Sequence, residues 1–270
     1  MRPFLKWAGN KYPIMARIRA VLPPALPRHG KLIEPFCGSA AVFLNTEYPA
    51  YCISDANADL VHLYRYLQKD GETFIEFCRG FFTTCTNDPT VYYDYRREFN
   101  TTGDTRMKSA LFLYFNRHGY NGLCRYNSKN GFNVPFGRYK KPYFPEKEMR
   151  YFYFKSQKAL IEKLDFETAM LRAKAGDVVY CDPPYVPLSA TANFTSYSGA
   201  AFGSKEQTRL AELATELAKK DITVVISNHD TPFTQKVYRS ARIIPFEVQR
   251  YISCVGEGRG KAAEVLAVFG

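Results

Sequence analysis

The sequence predicts an α/β fold built on an open, largely parallel sheet. Short apolar segments that end in small or polar residues are typical of buried strands, and they lie at 31–33, 50–53, 177–181 and 222–227. A segment with an apolar stripe at helical spacing, 204–220, stands between the last two, and Ser204 and Gln207 are predicted to cap it. This alternation is typical of parallel sheets. The apolar segments 242–248 and 263–269 are predicted to complete the sheet as an antiparallel pair.

Composition indicates a globular chain. It has 270 residues, of which 46% are hydrophobic, enough for a full core in one large domain or two small ones. No apolar segment approaches the roughly 20 residues of a membrane helix, and the N-terminus lacks a signal-peptide pattern, so we expect a cytoplasmic protein with no membrane partner. Seven scattered cysteines, none in a Cys-x-x-Cys pair, predict neither a disulfide framework nor a metal site.

The first predicted strand runs into a turn that contains Gly38 and then into an apolar helix start. A strand, a turn of small residues and a helix begin a nucleotide-binding unit, because small residues let a ligand approach the backbone. Asp55 follows the second strand about 20 positions later, where acidic side chains often bind ribose hydroxyls. A helix N-cap is an equally good interpretation of Asp55.

Asp182-Pro183-Pro184-Tyr185 directly follows the strand 177–181, at the carboxyl edge where open α/β sheets bind ligands. The exocyclic amine of adenine or cytosine is a poor nucleophile, because its lone pair is delocalised into the ring. If the Asp182 carboxylate and the Pro183 carbonyl accept its hydrogens, the lone pair is freed toward an incoming methyl group. Tyr185 would stack on the ring, and Pro184 would keep the turn rigid. A proline-rich turn that merely ends a strand is the alternative.

A basic segment precedes this motif. The net charge is +11, and between residues 105 and 145 there are eight lysines and arginines and no acidic residue. Aromatic and amide side chains interleave with them, which predicts nucleic-acid binding, although a solvated basic face has the same composition. Residues 59 to about 115 are predicted to be helical. The dipeptides Asn121-Gly122 and Asn130-Gly131 predict a hairpin of 123–127 and 132–136, suited to a DNA major groove.

Near the N-terminus, Lys6-Trp7-Ala8-Gly9-Asn10-Lys11 surrounds the only tryptophan with lysines. A short turn here would place Trp7 and Lys11 against a ligand that carries both a ring and a carboxylate. A buried tryptophan beside two surface lysines is the ordinary alternative.

Taken together, the segments 6–11, 34–43, 116–141, 182–185 and 189–197 resemble the Dam-type DNA adenine-N6 methyltransferases nearly from end to end. Their order is similar to that of the alpha group of amino-methyltransferases. The resemblance implies a Rossmann-like, S-adenosylmethionine-dependent methyltransferase sheet with an inserted helical and β-hairpin DNA-recognition domain. It implies a catalytic domain at 1–56 and 145–270, and a recognition domain at 57–144 with its hairpin at about 118–139.

The resemblance also implies the activity and its residues. A monomer would flip an adenine out of double-stranded DNA, with GATC as the expected target, and methylate its N6. The base would be held by Asp182, Pro183, Pro184 and Tyr185. The expected contacts to S-adenosylmethionine are Trp7, Lys11, Phe36, Gly38, Asp55, Asp165, Phe166 and Asp182.

The same resemblance implies a DNA-binding set of Lys6, Tyr120, Asn121, Leu123, Arg125, Asn133, Pro135 and Arg138. Within it, Lys6 and Arg125 match residues that contact guanines. Leu123 and Pro135 match contacts to a thymine methyl group. Tyr120 and Asn121 match residues that wedge into the duplex, and Arg138 matches a phosphate contact. Arginine and lysine on guanine, and apolar groups on thymine, are what groove chemistry predicts.

The chain departs from the family pattern at two positions. Ala40 replaces the second glycine of Phe-x-Gly-x-Gly, and Asn10 stands where a glycine is usual. A methyl group at Ala40 is tolerable unless that position needs a positive φ, in which case cofactor affinity would fall. Two other functions stay open on the sequence alone: methylation of structured RNA or of a protein amide, and DNA binding without catalysis.

Overall fold

A computed structural model describes residues 1–24, 30–186, 202–249 and 261–270. The loop expected at 189–197 lies outside these residues, as does nearly all of the loop expected between the last two strands. In chain order the elements are α1 (Met15–Val21), β1 (Lys31–Glu34), α2 (Ala41–Leu44), β2 (Ala50–Asp55), α3 (Ala58–Arg79), α4 (Pro89–Thr101), α5 (Thr105–His118), α6 (Glu146–Ser156), β3 (Ala159–Lys163), α7 (Phe166–Met170), β4 (Val178–Cys181), α8 (Ser204–Ala218), β5 (Thr223–His229), α9 (Pro232–Val237), β6 (Arg242–Gln249) and β7 (Lys261–Phe269). Single 3₁₀ turns lie at Tyr12–Ile14 and Tyr120–Gly122.

The strands form one sheet in the order β3-β2-β1-β4-β5-β7-β6. The first five are mutually parallel, and β7 runs antiparallel to both β5 and β6. Chain order reverses between β1 and β4, which pair at Leu32 and Val178. This sheet confirms the predicted α/β class and its Rossmann-like character. Its reversal point is where such sheets bind ligands, at the carboxyl ends of the strands.

Strand β3 was not predicted from the sequence, which indicated only a mixed helical segment before Asp165. It is an edge strand in which Ile161 is the one buried residue, while Leu160 is 55% exposed. A half-exposed edge strand lacks the apolar run that identifies strands buried on both faces. The four predicted internal strands are confirmed.

The predicted helical region divides into α3, α4 and α5. The side chains of Asn57, Asp88 and Asp104 begin these helices, and each accepts hydrogen bonds from two backbone N–H groups of the first turn. The predicted cap of α8 was wrong. Its N-terminus is capped by Glu206, which accepts from the Gly203 N–H at 2.8 Å, and Gln207 turns inward instead.

The segment 118–139, here called the basic hairpin, follows α5. Asn121 and Asn130 adopt positive φ of 53° and 58°, as turns built on Asn-Gly require. The predicted two-stranded ribbon is wrong in detail, because isolated bridges, Gly119 to Phe136 and Tyr126 to Phe132, replace a continuous ladder. Side chains of α4 support the hairpin instead, by hydrogen bonds to the backbone of residues 132 and 134.

The hydrophobic core continues from the sheet into the basic hairpin. On one face of the sheet, α3, α5 and α6 pack a cluster that includes Phe4, Tyr64 and Phe152. The same cluster extends to Phe132 and Val134 of the hairpin, both buried. On the other face, α8 covers β4 and β5. Because one core holds both, the hairpin is packed directly against the part of the molecule that carries the sheet.

Candidate active site and nucleic-acid interface

Three carboxylates lie at the carboxyl ends of neighbouring strands. Glu34 ends β1, Asp55 ends β2, and Asp182 directly follows β4. Burial raises the pKa of Glu34 to about 8, and no group among the described residues hydrogen-bonds to Glu34 Oε1. Burial also raises the pKa of Asp55, although backbone N–H groups oppose the shift. The fold therefore gathers acidic groups at the point where the strand order reverses.

Lys11 forms an ion pair with Asp182. Its Nζ lies 2.8 Å from Asp182 Oδ1, donates to the Gly9 carbonyl at 2.7 Å and sits 4.6 Å from the centre of the Tyr185 ring. Lys11 is only 7% exposed. Burial disfavours the ammonium, but the Asp182 carboxylate outweighs it and holds the pKa of Lys11 above its ordinary value. For Asp182 the balance is the opposite: burial raises the pKa of its carboxyl group, although Lys11 and Ser227 oppose the shift.

Only one oxygen of the Asp182 carboxylate is bonded by side chains of the described residues. Oδ1 receives both the Lys11 ammonium and the Ser227 hydroxyl, the latter at 3.1 Å. Among the described residues, no hydrogen bond reaches Asp182 Oδ2 or the Pro183 carbonyl, whereas the Pro184 carbonyl accepts from Gln207 Nε2 at 2.7 Å. Two acceptors on adjacent residues are therefore left for a ligand, and a primary amine has two hydrogens to donate.

The turn that carries these acceptors is fixed by β5 and α8. Asn228 Nδ2 donates to Gln207 Oε1 at 3.0 Å, and Asn228 Oδ1 accepts from the Val186 N–H at 3.2 Å. The Tyr185 hydroxyl donates to Glu264 at 3.2 Å, and its ring meets the His229 ring edge to face with centroids 4.7 Å apart. Side chains from three elements thus orient the Asp-Pro-Pro-Tyr turn.

The predicted cofactor residues form two groups. In the first, Asp55 Oδ2 accepts from the Gly38 N–H at 3.0 Å, and the Trp7 indole packs on Gly38. Gly38 has a φ of 43°, and a Cβ there would lie 2.8 Å from the indole nitrogen, so this position requires glycine. In the second, Phe36 stacks on Phe166 with centroids 5.6 Å apart.

Asp165 has a different surrounding from the other predicted cofactor residues. Its carboxylate accepts from the backbone N–H and hydroxyl of Thr168, at 2.9 and 2.6 Å, and so caps α7. These bonds lower the pKa of Asp165. Phe202, which sequence reasoning did not identify, packs edge-on against both Phe36 and Phe166.

The two departures from the family pattern have opposite consequences. Ala40 is buried with a φ of 59°, a left-handed conformation that is strained for any residue with a Cβ. Asn10 does not need a positive φ. Its side-chain oxygen instead accepts from the Tyr12 N–H at 3.0 Å and from the Ser39 hydroxyl at 3.3 Å, linking the N-terminal turn to the Gly38 turn.

Four predicted DNA-binding residues alternate with buried residues of the basic hairpin. Cys124, Phe132 and Val134 are buried against the core. Of the residues next to them, Arg125 and Pro135 are exposed and Asn133 is partly exposed, whereas Leu123 is partly buried and packs against the core. Arg125 Nε donates to Asn133 Oδ1 at 2.8 Å, and Nη2 donates to the Asn133 carbonyl at 3.1 Å.

The remaining predicted DNA-binding residues lie near the two ends of the hairpin segment, at 120–121 and 138–139, which are here called the hairpin root. Lys6 Nζ lies 4.3 Å from the centre of the Tyr139 ring, and the Asn121 N–H donates to the Tyr139 hydroxyl at 3.0 Å. Burial, with the charge of Arg117, lowers the pKa of Lys6. Tyr120 is 52% exposed.

Arg138 is also exposed, and its φ is 53°. The segment 6–11 connects the basic hairpin to the Asp-Pro-Pro-Tyr turn. Lys6 contacts Tyr139 of the hairpin, and Lys11 contacts Asp182 and Tyr185 of the turn. The Cα atoms of Lys6 and Lys11 are at most about 18 Å apart.

Sequence reasoning missed several residues of the site. Ser227 and Asn228 had a usable signal, since polar residues at the end of an apolar strand next to β4 must share its carboxyl edge. Glu264 had none, because it reaches Tyr185 only through the antiparallel pairing of β7 with β5. Tyr139 was noted only as part of the aromatic composition.

The fold is the one expected of a Rossmann-like methyltransferase. The sequence profile of the family described as D12 class N6 adenine-specific DNA methyltransferase matches residues 7–252. The chain belongs to this family and is an adenine-specific DNA methyltransferase.

Proteins called DNA adenine methylase from Vibrio cholerae, Escherichia coli K12 and Haemophilus influenzae are 46%, 47% and 46% identical to this chain. The alignments cover 99%, 99% and 100% of this chain, and 96%, 95% and 94% of those proteins. The expected resemblance is thereby confirmed. Among solved structures, human methyltransferase 10 domain containing protein aligns over 99% of this chain and 83% of its own at 7% identity, with a TM-score of 0.38 that supports no conclusion.

Two structural features are absent from the described residues. In that part of the chain, no helix is both long and apolar enough to span a membrane. Nor do the described ranges contain a group of three histidine, cysteine, aspartate or glutamate side chains arranged to hold a metal ion.

Proposed function

We propose that this enzyme transfers a methyl group from S-adenosylmethionine to the N6 of adenine in double-stranded DNA, within GATC, after the base has left the helix. The observation that carries the proposal is the pair of acceptors, Asp182 Oδ2 and the Pro183 carbonyl, to which no described residue donates. They match the two hydrogens of an exocyclic amine. Tyr185, oriented by Glu264 and His229, offers a ring for the base to stack on.

The residues at the switch point fit S-adenosylmethionine by their chemistry. The Asp55 carboxylate is suited to ribose hydroxyls, and the Phe36 and Phe166 rings are suited to a purine. Lys11 and Asp182 carry opposite charges 2.8 Å apart, and together they are suited to a zwitterionic amino acid. The cofactor would supply an electrophilic methyl group on a sulfonium centre, and aromatic rings nearby favour such a cation.

The catalytic turn acts by orientation and electrostatics. Asp182 and Pro183 accept the two amine hydrogens and draw the nitrogen toward tetrahedral geometry, which localises its lone pair. The nitrogen gains the methyl group that the sulfonium would give up to become a neutral thioether, and it loses a proton for which Asp182 Oδ2 is an available acceptor. Because Lys11 and Ser227 fix Oδ1, little reorganisation is needed during transfer.

Base flipping follows from access. In the duplex, N6 of adenine is engaged in pairing, and a methyl donor cannot approach it in line inside the stack. Tyr120 and Asn121, exposed at the hairpin root, are proposed to fill the space the base leaves. The wedge is thus assigned to residues beside Lys6, which itself is proposed to contact the first guanine.

Target choice is assigned to the basic hairpin, within a recognition region at 57–144. Arg125 is proposed to contact a guanine, and Leu123 and Pro135 a thymine methyl group, in the major groove. Arg138 and Asn133 are assigned to the backbone and groove edge. The catalytic part would be 1–56 and 145–270. We further propose that the enzyme works as a monomer in the cytoplasm, where it associates with the nucleoid through DNA.

The direct test uses S-adenosylmethionine with a labelled methyl group and duplexes that differ only in GATC. We expect label on N6 of adenine in the GATC duplex and about 5- to 150-fold less in a duplex with one base pair changed, since each mismatch costs about 1–3 kcal/mol. Equal labelling of both duplexes rejects the specificity. No labelling of either rejects the donor.

A further inference from the structure

The basic hairpin is fastened to the first turn of α3. The Tyr126 hydroxyl donates to Asp59 Oδ2 at 2.5 Å, while Lys108 Nζ lies 3.1 Å from Asp59 Oδ1. Asp59 is 8% exposed. A tyrosine that donates to a buried carboxylate forms a charge-assisted bond, which is shorter and stronger than one between neutral groups. Tyr126 is therefore held at one place on α3.

A second contact fastens the same part of the hairpin. Asn57 Nδ2 lies 3.5 Å from the sulfur of Cys124, which is 6% exposed. The Asn57 side-chain oxygen accepts from the Asp59 N–H at 3.0 Å, so one asparagine caps α3 and contacts the hairpin. Residues 124 and 126 are thus both attached to one helix end.

Arg125 lies between these two attached residues and points the opposite way. Its guanidinium has five N–H donors. Two are used by Asn133, through Nε and one hydrogen of Nη2. The three that are left lie at the outer end of the side chain, where a bidentate contact to guanine O6 and N7 needs two. The position of the outer end of the Arg125 side chain is therefore set by two things. Residues 124 and 126 are attached to α3, and Asn133 accepts hydrogen bonds from the guanidinium.

We propose that Tyr126 and Asp59 are specificity-determining positioning residues, which set the base contact of Arg125 although neither touches DNA. The inference rests on the proposed function, since it takes Arg125 as the residue that contacts a guanine. Without the Tyr126 hydroxyl the hairpin keeps its ring contact with Phe132, with centroids 5.8 Å apart, but loses its hydrogen bond to α3. Arg125 then samples a wider range of positions, and near-cognate base pairs are less well rejected.

The test is Tyr126→Phe, measured as kcat/KM on a GATC duplex and on duplexes with each base pair changed in turn. Discrimination at the base pair that Arg125 contacts is expected to fall by about 10-fold, within the 5- to 150-fold range of one base contact. Discrimination at the base pair assigned to Lys6, which is not part of the hairpin, is expected to stay within about 2-fold, since sites without shared partners do not couple. A loss spread evenly over all duplexes, or no loss, overturns the proposal. Asp59→Asn is the second variant and is expected to act at the same base pair.

Tyr66→Phe is the matched control. Its hydroxyl pairs with the Thr105 hydroxyl at 2.7 Å, so the same substitution removes a hydrogen bond between α3 and α5 away from the hairpin. Discrimination is expected to be unchanged. If Tyr66→Phe reproduces the effect of Tyr126→Phe, the effect reflects general loosening of the helices and the proposal fails.

Arg125→Ala distinguishes a failure of the proposed guanine contact from a failure of the positioning role of Tyr126. It is expected to abolish discrimination at its base pair, and Tyr126→Phe added to it is expected to cause no further loss, because residues that act through one contact are not additive. If Arg125→Ala leaves discrimination intact, the proposed role of Arg125 fails. If Arg125→Ala removes it and Tyr126→Phe alone does not, only the positioning role fails.

Discussion

The turn at 182–186 and the basic hairpin differ in how much of their charge is exposed to water. The turn at 182–186 is oriented by side chains from β5, β7 and α8, and its Lys11 and Asp182 charges are mostly withdrawn from water. The hairpin buries Cys124, Phe132 and Val134 in the core and exposes Arg125 and Pro135. A buried charged site depends on protonation and geometry, whereas an exposed basic face depends on ionic strength. The two regions should therefore fail under different perturbations.

The largest expected effect is at the catalytic turn. Asp182→Ala removes an acceptor for the amine and leaves the Lys11 ammonium without its partner, so we expect methyl transfer to fall by at least about 1,000-fold. Binding of duplex DNA, which relies on the hairpin, is expected to change less than about 3-fold. Single-turnover methylation and fluorescence anisotropy with labelled duplex measure the two. Equal losses in both would erase the contrast between the regions.

The buried side of the contrast predicts a pH effect at Glu34. Because its pKa is raised to about 8, the proton it binds stabilises the fold fully below the ordinary glutamate pKa. This stabilisation is lost progressively as pH rises from the ordinary glutamate pKa to about 8, at up to about 1.4 kcal/mol per pH unit. Glu34→Gln does not titrate, so its thermal midpoint relative to wild type is expected to be higher at pH 8 than at pH 5.

The control for this pH effect is Glu212→Gln. That side chain is 58% exposed, and we expect the difference between this variant and wild type to be the same at both pH values. Thermal unfolding followed by circular dichroism gives all four comparisons. Parallel pH curves for wild type and Glu34→Gln would argue against a proton held at Glu34.

The exposed side predicts a salt effect at Arg138. If this side chain contacts a phosphate, Arg138→Gln is expected to reduce the slope of log affinity against log salt by about 0.9 and to weaken binding of all duplexes alike. Arg242→Gln is the control, because Arg242 is exposed at the start of β6, on the amino edge of the sheet. A slope that drops for both variants would mean that net charge, and not a local contact, governs DNA binding.

The smallest expected effect concerns the strained Ala40. Alanine to glycine usually costs about 0.5–1 kcal/mol through chain entropy, but relief of the left-handed conformation returns about 1–2 kcal/mol. Ala40→Gly should therefore leave the free energy of unfolding unchanged or slightly higher in urea titrations. Ala214→Gly, in the middle of α8, should lower it by about 1 kcal/mol or more. A clear loss for Ala40→Gly would show that the turn is not strained.

The internal strands and the catalytic motif were predictable because their signals are local. A continuous apolar run identifies a strand buried on both faces, and Asp182 follows such a run directly. Edge strand β3 lacked this signal, since Leu160 faces water. The hairpin turns were predicted from Asn121 and Asn130, but not the loss of regular pairing, which depends on hydrogen bonds from α4.

Contacts between distant segments could not be predicted in the same way. The pair Lys11 with Asp182, and the bond from Tyr185 to Glu264, join elements that only the order and direction of the strands bring together. Asp55, for which the sequence allowed either a ribose contact or a helix N-cap, illustrates the same limit. Its carboxylate accepts from the Asn57 and Gly38 N–H groups, while Asn57 is the residue that caps α3. Local sequence could not decide between these roles.

The alternation along the basic hairpin separates residues that attach it from residues that a ligand can reach. Residues 124, 126, 132 and 134 contact the rest of the fold, while Arg125 and Pro135 are exposed and Asn133 is partly exposed. Substitutions at the exposed positions leave the buried contacts, and with them the fold, unchanged. If the hairpin contacts DNA as proposed, variants with altered base contacts can therefore be reached by single substitutions in a chain that still folds.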